Sequence, residues 1–145
     1  MSLDGAYDPA NVFARILRGE LPKAQIYEDS ETLAFMDAFP QARGHSLVIP
    51  KHGQARNLLE ASPATLASVM ATVRKVARAT RLALDPDGIM ISQFNGEASG
   101  QTVYHLHVHI IPRWVNQPLG RHAGAMADAA DLAAVAARIS ACLEP

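Results

Sequence analysis

Residues 105–111, His-Leu-His-Val-His-Ile-Ile, carry three of the chain's six histidines, alternating with branched apolar residues. A period of two is that of a β-strand with one apolar and one polar face. The pattern predicts a strand over 105–111 with His105, His107 and His109 on one side. Consecutive rings would stand roughly 6–7 Å apart, from the rise per residue of a strand. Leu106, Val108 and Ile110 would face a core. Three imidazoles on one face can attack an electrophile, shuttle protons or hold a metal.

The rest of the chain reads as a frame for that strand. Residues 12–18 form a short helix with Asn11 as its N-cap and Gly19 at its end. Residues 26–28 and 32–36 read as strands joined by the turn residues Asp29-Ser30, and residues 45–49 as a strand stopped by Pro50. Ser62-Pro63 is a helix start, with Ser as N-cap and Pro at the first helical position. Leu66, Val69, Met70, Val73, Val76 and Ala77 then recur at helical spacing until Asp85-Pro86-Asp87-Gly88 turns the chain. A strand over 89–94, a glycine-flanked loop over 95–100 and the histidine strand follow, the last closed by Pro112. Residues 113–127 read as irregular and 128–143 as an alanine-rich helix. Short connections between neighbouring strands favour antiparallel pairing, and helices placed between groups of strands favour an α+β layer fold.

At 145 residues the chain fits one domain. Its organisation reads as a flexible lead-in over 1–10, a core over 11–113, and an extension with a helix over 114–145 in the same domain. A chain this long buries about 70% of the surface its unfolded form exposes, so it needs no staples. Thirteen basic and fourteen acidic residues leave a net charge of −1, which excludes a global basic field for nucleic acid. Cys142 is the single cysteine, so no intrachain disulfide forms, which suits a cytoplasmic protein. No run of about 18 apolar residues predicts a membrane span. The N-terminus lacks the basic-then-apolar pattern of a signal peptide.

Like charges close together disfavour protonation, so in a row of three imidazoles at least one is expected neutral at pH 7. A neutral imidazole is a nucleophile toward phosphorus, and the phosphoryl-imidazole bond it forms is labile to water. Flanking rings can hold its tautomer, bind phosphate oxygens or protonate a leaving group. Asn95-Gly96 and Ser99-Gly100-Gln101-Thr102, directly ahead, offer backbone N–H groups, an amide and hydroxyls of the kind that cradle phosphate. Two other readings compete. One is a strand whose exposed polar face is histidine-rich by chance. The other is a metal site, since His-x-His on a strand can supply two zinc ligands. No carboxylate or cysteine nearby in sequence completes such a set.

With its approach Gly100-Gln101-Thr102-Val103-Tyr104, the triad resembles that of the histidine triad (HIT) family of nucleotide-binding hydrolases and transferases. The blocks at 16–22 (Ile-Leu-Arg-Gly-Glu-Leu-Pro), 34–37 (Ala-Phe-Met-Asp) and 44–51 (Gly-His-Ser-Leu-Val-Ile-Pro-Lys) look like the family's other motifs, in order. The resemblance covers about residues 11 to 113. It implies an antiparallel five-stranded sheet with a long central helix and a C-terminal helix, in a homodimer whose sheets run together. It implies that His107 attacks the α-phosphorus of a purine nucleotide conjugate and that water then releases a nucleoside monophosphate. His105 and His109 would bind phosphate or fix the imidazole, with His45 close by. Gly100, Gln101 and Thr102 match the approach to the phosphate and leaving group, Asn95 a polar residue of the same pocket. Asp37 matches the acid that grips the ribose hydroxyls. Phe13, Ile16, Leu21, Phe35 and Ala38 match an apolar slot for the base.

The chain also departs from the family pattern. Bacterial relatives often hold a structural zinc with a Cys-x-x-Cys pair, a later histidine and the first triad histidine. Here those places carry Asn11, Ala14 and Gly53, with His52 one position early. Without thiolates the expectation is no structural zinc and no cofactor. The Trp-Pro-Pro-Gly-like tail of the nucleoside phosphoramidases is replaced by Ile111-Pro112-Arg113-Trp114 and a helix. Ile-Pro-Arg resembles the dinucleoside polyphosphate hydrolase side of the family, so both leaving groups stay open. The alternative to an enzyme is a nucleotide-binding regulatory module with weak catalysis.

Overall fold

A computed structural model describes residues 3–122 and 124–145. Met1 and Ser2, at the start of the expected lead-in, and Ala123 lie outside the described residues. The elements are α1 (Val12–Leu17), β1 (Gln25–Glu28), β2 (Thr32–Met36), β3 (Ser46–Pro50), α2 (Pro63–Leu84), β4 (Gly88–Ser92), β5 (Val108–Arg113) and α3 (Ala129–Ala141), with short 3-10 turns at Leu58–Glu60 and Glu97–Ser99. The five strands form one antiparallel sheet in the order β1-β2-β3-β5-β4. Fold class and strand number are those the sequence implies.

The caps explain where the helices begin. The Asn11 side chain accepts from the Ala14 N–H, Ser62 from Thr65 and Asp128 from Ala130 and Asp131, satisfying donors that a helix start leaves orphaned. α2 stops where Asp85 turns left-handed at φ 50°.

Alternation splits the sheet residues between two faces. Ala34, Met36, Val48, Val108 and Ile110 pack against α2 and α3 through Val69, Val73, Val76, Val135 and Ile139. Leu33, Phe35, Leu47 and Ile49 turn to the other side and pack against Phe13 and Ile16 of α1. Leu47 pairs with His109 across β3 and β5, so the histidine face is the α1 face.

The histidine strand differs from the sequence pattern at both ends. It starts at Val108, because β3 pairs with β5 only from Val48↔Val108 to Ser46↔Ile110. Upstream, the Leu106 N–H bonds to the Ala55 carbonyl at 2.9 Å instead of to a strand. It also runs through Pro112, which pairs with Ile89 of β4 beyond the last β3 partner, so the missing N–H breaks no bond to β3. The histidine face is not exposed either: His105, His107 and His109 are 2%, 7% and 2% accessible. The reading as a surface histidine stripe is therefore overturned.

Gly44, just before His45, has φ +89°, and a Cβ there would stand 2.4 Å from Leu84 Cδ1 and 3.0 Å from Pro112 Cγ. Gly44→Ala is expected to cost about 1–3 kcal/mol through the left-handed backbone, with steric overlap added. Urea unfolding measures it, and an unchanged midpoint would refute the account.

Candidate active site

Two segments bring the four buried histidines together: the run into β5 and the residue before β3. Each ring's partners fix which nitrogen carries its hydrogen. His107 Nδ1 lies 2.7 Å from the backbone carbonyl of His105. A carbonyl only accepts, so Nδ1 holds the hydrogen and Nε2 keeps a lone pair. Burial pushes the His107 pKa down to about 4, against the raising effect of that carbonyl bond. The ring is therefore neutral at pH 7.

His105 is fully occupied within the protein. Its Nε2–H donates to the Pro50 carbonyl at 3.1 Å, and its Nδ1 accepts from the Tyr7 hydroxyl at 2.8 Å. Of the two jobs the resemblance implies for His105, this geometry supports holding His107 in place. Tyr7 belongs to the stretch read as a loose lead-in, which is further tied by the Leu3 carbonyl accepting from Arg56 and the Pro9 carbonyl from Arg18.

A relay runs through His45 to His109. The Gln41 N–H donates to His45 Nδ1 at 3.0 Å, so the hydrogen of His45 sits on Nε2. That Nε2–H faces His109 Nδ1 at 2.9 Å and Asp37 Oδ2 at 3.3 Å. His109 Nδ1 then accepts, and its own hydrogen sits on Nε2. This Nε2 is buried and has no partner among the described residues. A buried orphan donor beside a neutral imidazole with a free lone pair suits an anionic oxygen. Burial first, then the neighbouring histidines, bring the His109 pKa down to about 3. Burial also lowers His45, opposed by Asp37, and lowers His105, opposed by the Pro50 carbonyl.

The loop ahead of the triad is glycine-shaped: Gly96 and Gly100 have φ +89° and +108°. Gln101 is buried and spends its amide on this loop, accepting from the Gly96 N–H at 2.9 Å and donating to the Arg56 and Val103 carbonyls at 2.7 and 3.0 Å. It shapes the cradle instead of facing it. The Asn95 oxygen accepts from Gln93 and from the Leu58 N–H, while Thr102 is exposed. Asp37 accepts from the Phe39 N–H through Oδ1, at 2.8 Å.

Of the residues matched to a base slot, Phe13, Ile16 and Phe35 sit in the buried α1-side cluster and Leu21 packs on its margin. Ala38 lies exposed in the loop after β2, outside that cluster. The Phe13 ring stands edge-on to His107 at 4.9 Å. A cavity of about 310 Å³ between the β2–β3 loop and α3, lined by Met36, Pro40, Arg43 and Leu132, contains none of the histidines.

The sequence shows no acid near the histidines, but folding supplies one: ligand atoms of Asp37, His45 and His109 all lie within 4.8 Å. The His45–His109 separation is that of a hydrogen bond, which a metal would have to break. At the places of the relatives' zinc ligands, Asn11 caps α1 and Ala14 is buried in it. His52 turns away to the Ser30 carbonyl at 2.8 Å. Three contributors escape the sequence reading: Tyr7, the Gln41 backbone and His122, whose ring lies 6.0 Å from that of His109. Tyr7 lies 98 positions from its partner and His122 meets His109 through an irregular segment, while the Gln41 N–H, only four positions from His45, is a backbone group that no side-chain motif signals.

A family model described as HIT domain matches residues 18–115. The chain is 38% identical to adenylylsulfatase HINT3 of Arabidopsis thaliana over 77% of this chain and 59% of that one. It is 36% identical to adenosine 5'-monophosphoramidase hnt1 of Schizosaccharomyces pombe, over 70% of this chain and 73% of that one. A solved structure of a Hit-like protein involved in cell-cycle regulation from Bartonella henselae, with an unknown ligand, superposes with a TM-score of 0.90. It shares 47% identity and covers 96% of this chain and 100% of that one.

The lowered histidine pKa values set a direction for acid stability. Between the ordinary imidazole value near 6.5 and about 4, the unfolded chain takes up protons that the folded chain refuses. Stability is thus full above pH 6.5 and falls as pH drops through that window, by about 1.4 kcal/mol per pH unit for His107, with the other lowered rings acting in the same direction. The melting temperature should be lower at pH 5 than at pH 7.5; equal values would contradict the burial argument.

Proposed function

We propose that this chain, which belongs to the HIT family, is a nucleotide hydrolase that cleaves at the α-phosphate of a purine nucleotide conjugate through a nucleotidyl-His107 intermediate. The observation that carries the reading is the Nδ1–H of His107 held on the His105 carbonyl, which commits the lone pair of a neutral ring to Nε2. The hydrolase names of the relatives, adenylylsulfatase and adenosine 5'-monophosphoramidase, support the same class.

In the first step Nε2 attacks phosphorus and the bond to the leaving group breaks. The ring becomes cationic, with phosphorus on Nε2 and the hydrogen still on Nδ1. The His105 carbonyl bond strengthens at that moment, because it now accepts from a charged donor. The Nε2–H of His109 is the group that meets the phosphate oxygen. A phosphate or sulfate leaves as an anion and needs no proton, whereas an amine needs one. In the second step water attacks phosphorus, gives its proton to solvent, and His107 departs as the original neutral ring. Two steps with a better nucleophile and a better leaving group replace one hard step.

The Phe13 side of the row supports an apolar contact for the base, which selects weakly among purines. Asp37, beside His45, is the acid proposed to accept from the ribose hydroxyls. The same reading makes the protein a homodimer joined along β4, an edge strand with Ile91 exposed. Unpaired edges are templates for pairing, and sedimentation equilibrium should give twice the chain mass.

Turnover of adenosine phosphoramidate and diadenosine polyphosphates tests the mechanism. His107→Ala should lose at least about three orders of magnitude in kcat, a typical scale for removing a nucleophile. Wild type turning over neither substrate would end the hydrolase reading, and full activity in His107→Ala would end the covalent one. The acid limb of kcat/KM should fall near pH 4, where His107 protonates.

A further inference from the structure

No sequence pattern singles out His122, yet the fold delivers it to the triad. The segment between β5 and α3 crosses the loop that joins β2 to β3 and is tied there at two points. The Gly120 N–H donates to the Gln41 carbonyl at 2.7 Å, and the Gln41 side-chain amide donates back to the Gly120 carbonyl at 3.1 Å. The approach is so close that a Cβ on Gly120 would meet Gln41 O at 2.9 Å. Further on, the Ala127 N–H donates to the Ala38 carbonyl at 2.9 Å. Between these ties stands the exposed His122, its ring 6.0 Å from His109 and 6.1 Å from Phe94. Gln41 is also the residue whose N–H fixes the His45 tautomer, so strap and relay share one anchor.

We propose that His122 is a specificity-determining residue of this site, whose imidazole binds a charged leaving group, such as a phosphate beyond the α-phosphate. The inference rests on the hydrolase reading above. The two ends of the histidine row differ in kind. At one end Phe13 packs edge-on to His105 and His107, at 6.4 and 4.9 Å, with the apolar α1 cluster behind it. At the other end are the orphan donor of His109, Phe94 and the glycine-shaped loop that begins at Asn95. A base takes the apolar end. In-line attack expels the leaving group on the side of phosphorus opposite His107 Nε2, and with the apolar end taken by the base, the end of the row left to that group is the one with His109 and His122. Neither ring nitrogen of His122 has a hydrogen-bond partner among the described residues, so one N–H is available to an anionic oxygen. An amine leaving group offers no such oxygen, so the contact favours acidic ones.

The test is the affinity of the full chain for AMP and ADP, measured by calorimetry. AMP fills the nucleoside and α-phosphate positions; ADP adds one phosphate where the leaving group sits. Wild type should bind ADP about tenfold tighter than AMP, the scale of one charge-assisted hydrogen bond. His122→Ala should bring that ratio close to one, moving AMP affinity by less than about threefold, and His122→Gln, which keeps a donor, should retain part of it. A wild-type ratio near one, or a ratio unchanged in His122→Ala, overturns the role of His122 while leaving the hydrolase reading intact. Binding of neither nucleotide overturns both.

Discussion

The bond from His107 Nδ1–H to the His105 carbonyl is the constraint on which the rest of the site depends. It spans only two residues, so it forms only if the backbone at His105 turns its carbonyl toward the ring. A regular ladder would spend that carbonyl on a neighbouring strand. The chain avoids this by delaying β5 until Val108 and by sending the Leu106 N–H to Ala55, outside the sheet. The break in strand regularity and the fixing of the His107 tautomer are thus one structural event. Only downstream, where His109 must be held rigidly against His45, does the ladder begin.

Burial does the second part of the work. Four imidazoles lie inside a domain with little solvent to stabilise their charge, so all are driven toward the neutral form. A neutral imidazole has one donor and one acceptor, and a chain of such rings has a direction. Here the direction is set at one end by the backbone N–H of Gln41 and runs through His45 to His109. Asp37 beside His45 is the only carboxylate that the described residues bring into the histidine cluster. It offsets some of the desolvation without breaking the order.

Much of this was legible in the chain because it is local. Asn11 and Ser62 announce their helices through their own side chains, and the alternation over 105–111 puts the three histidines on the face opposite Val108 and Ile110. Strand ends were less legible, because partner strands set them: the span of β3 decides where β5 begins and why Pro112 is tolerated. Gln101 matches a family position at the phosphate and leaving group, but a buried amide must satisfy its own hydrogen bonds first, and here the loop satisfies them. The contribution of Tyr7 lies 98 positions from its partner, a relation written in the tertiary fold alone.

That phenol has a wider consequence. The family pattern with a Cys-x-x-Cys pair and the first triad histidine on a zinc would tie the order of such a site to zinc supply and to the redox state of two thiols. In this chain a hydroxyl does the holding, and the positions of the thiols carry a cap and a core alanine. The order of His105, and through its carbonyl that of His107, depends on the segment around Tyr7 staying docked, so cleavage between Tyr7 and α1 would loosen both rings.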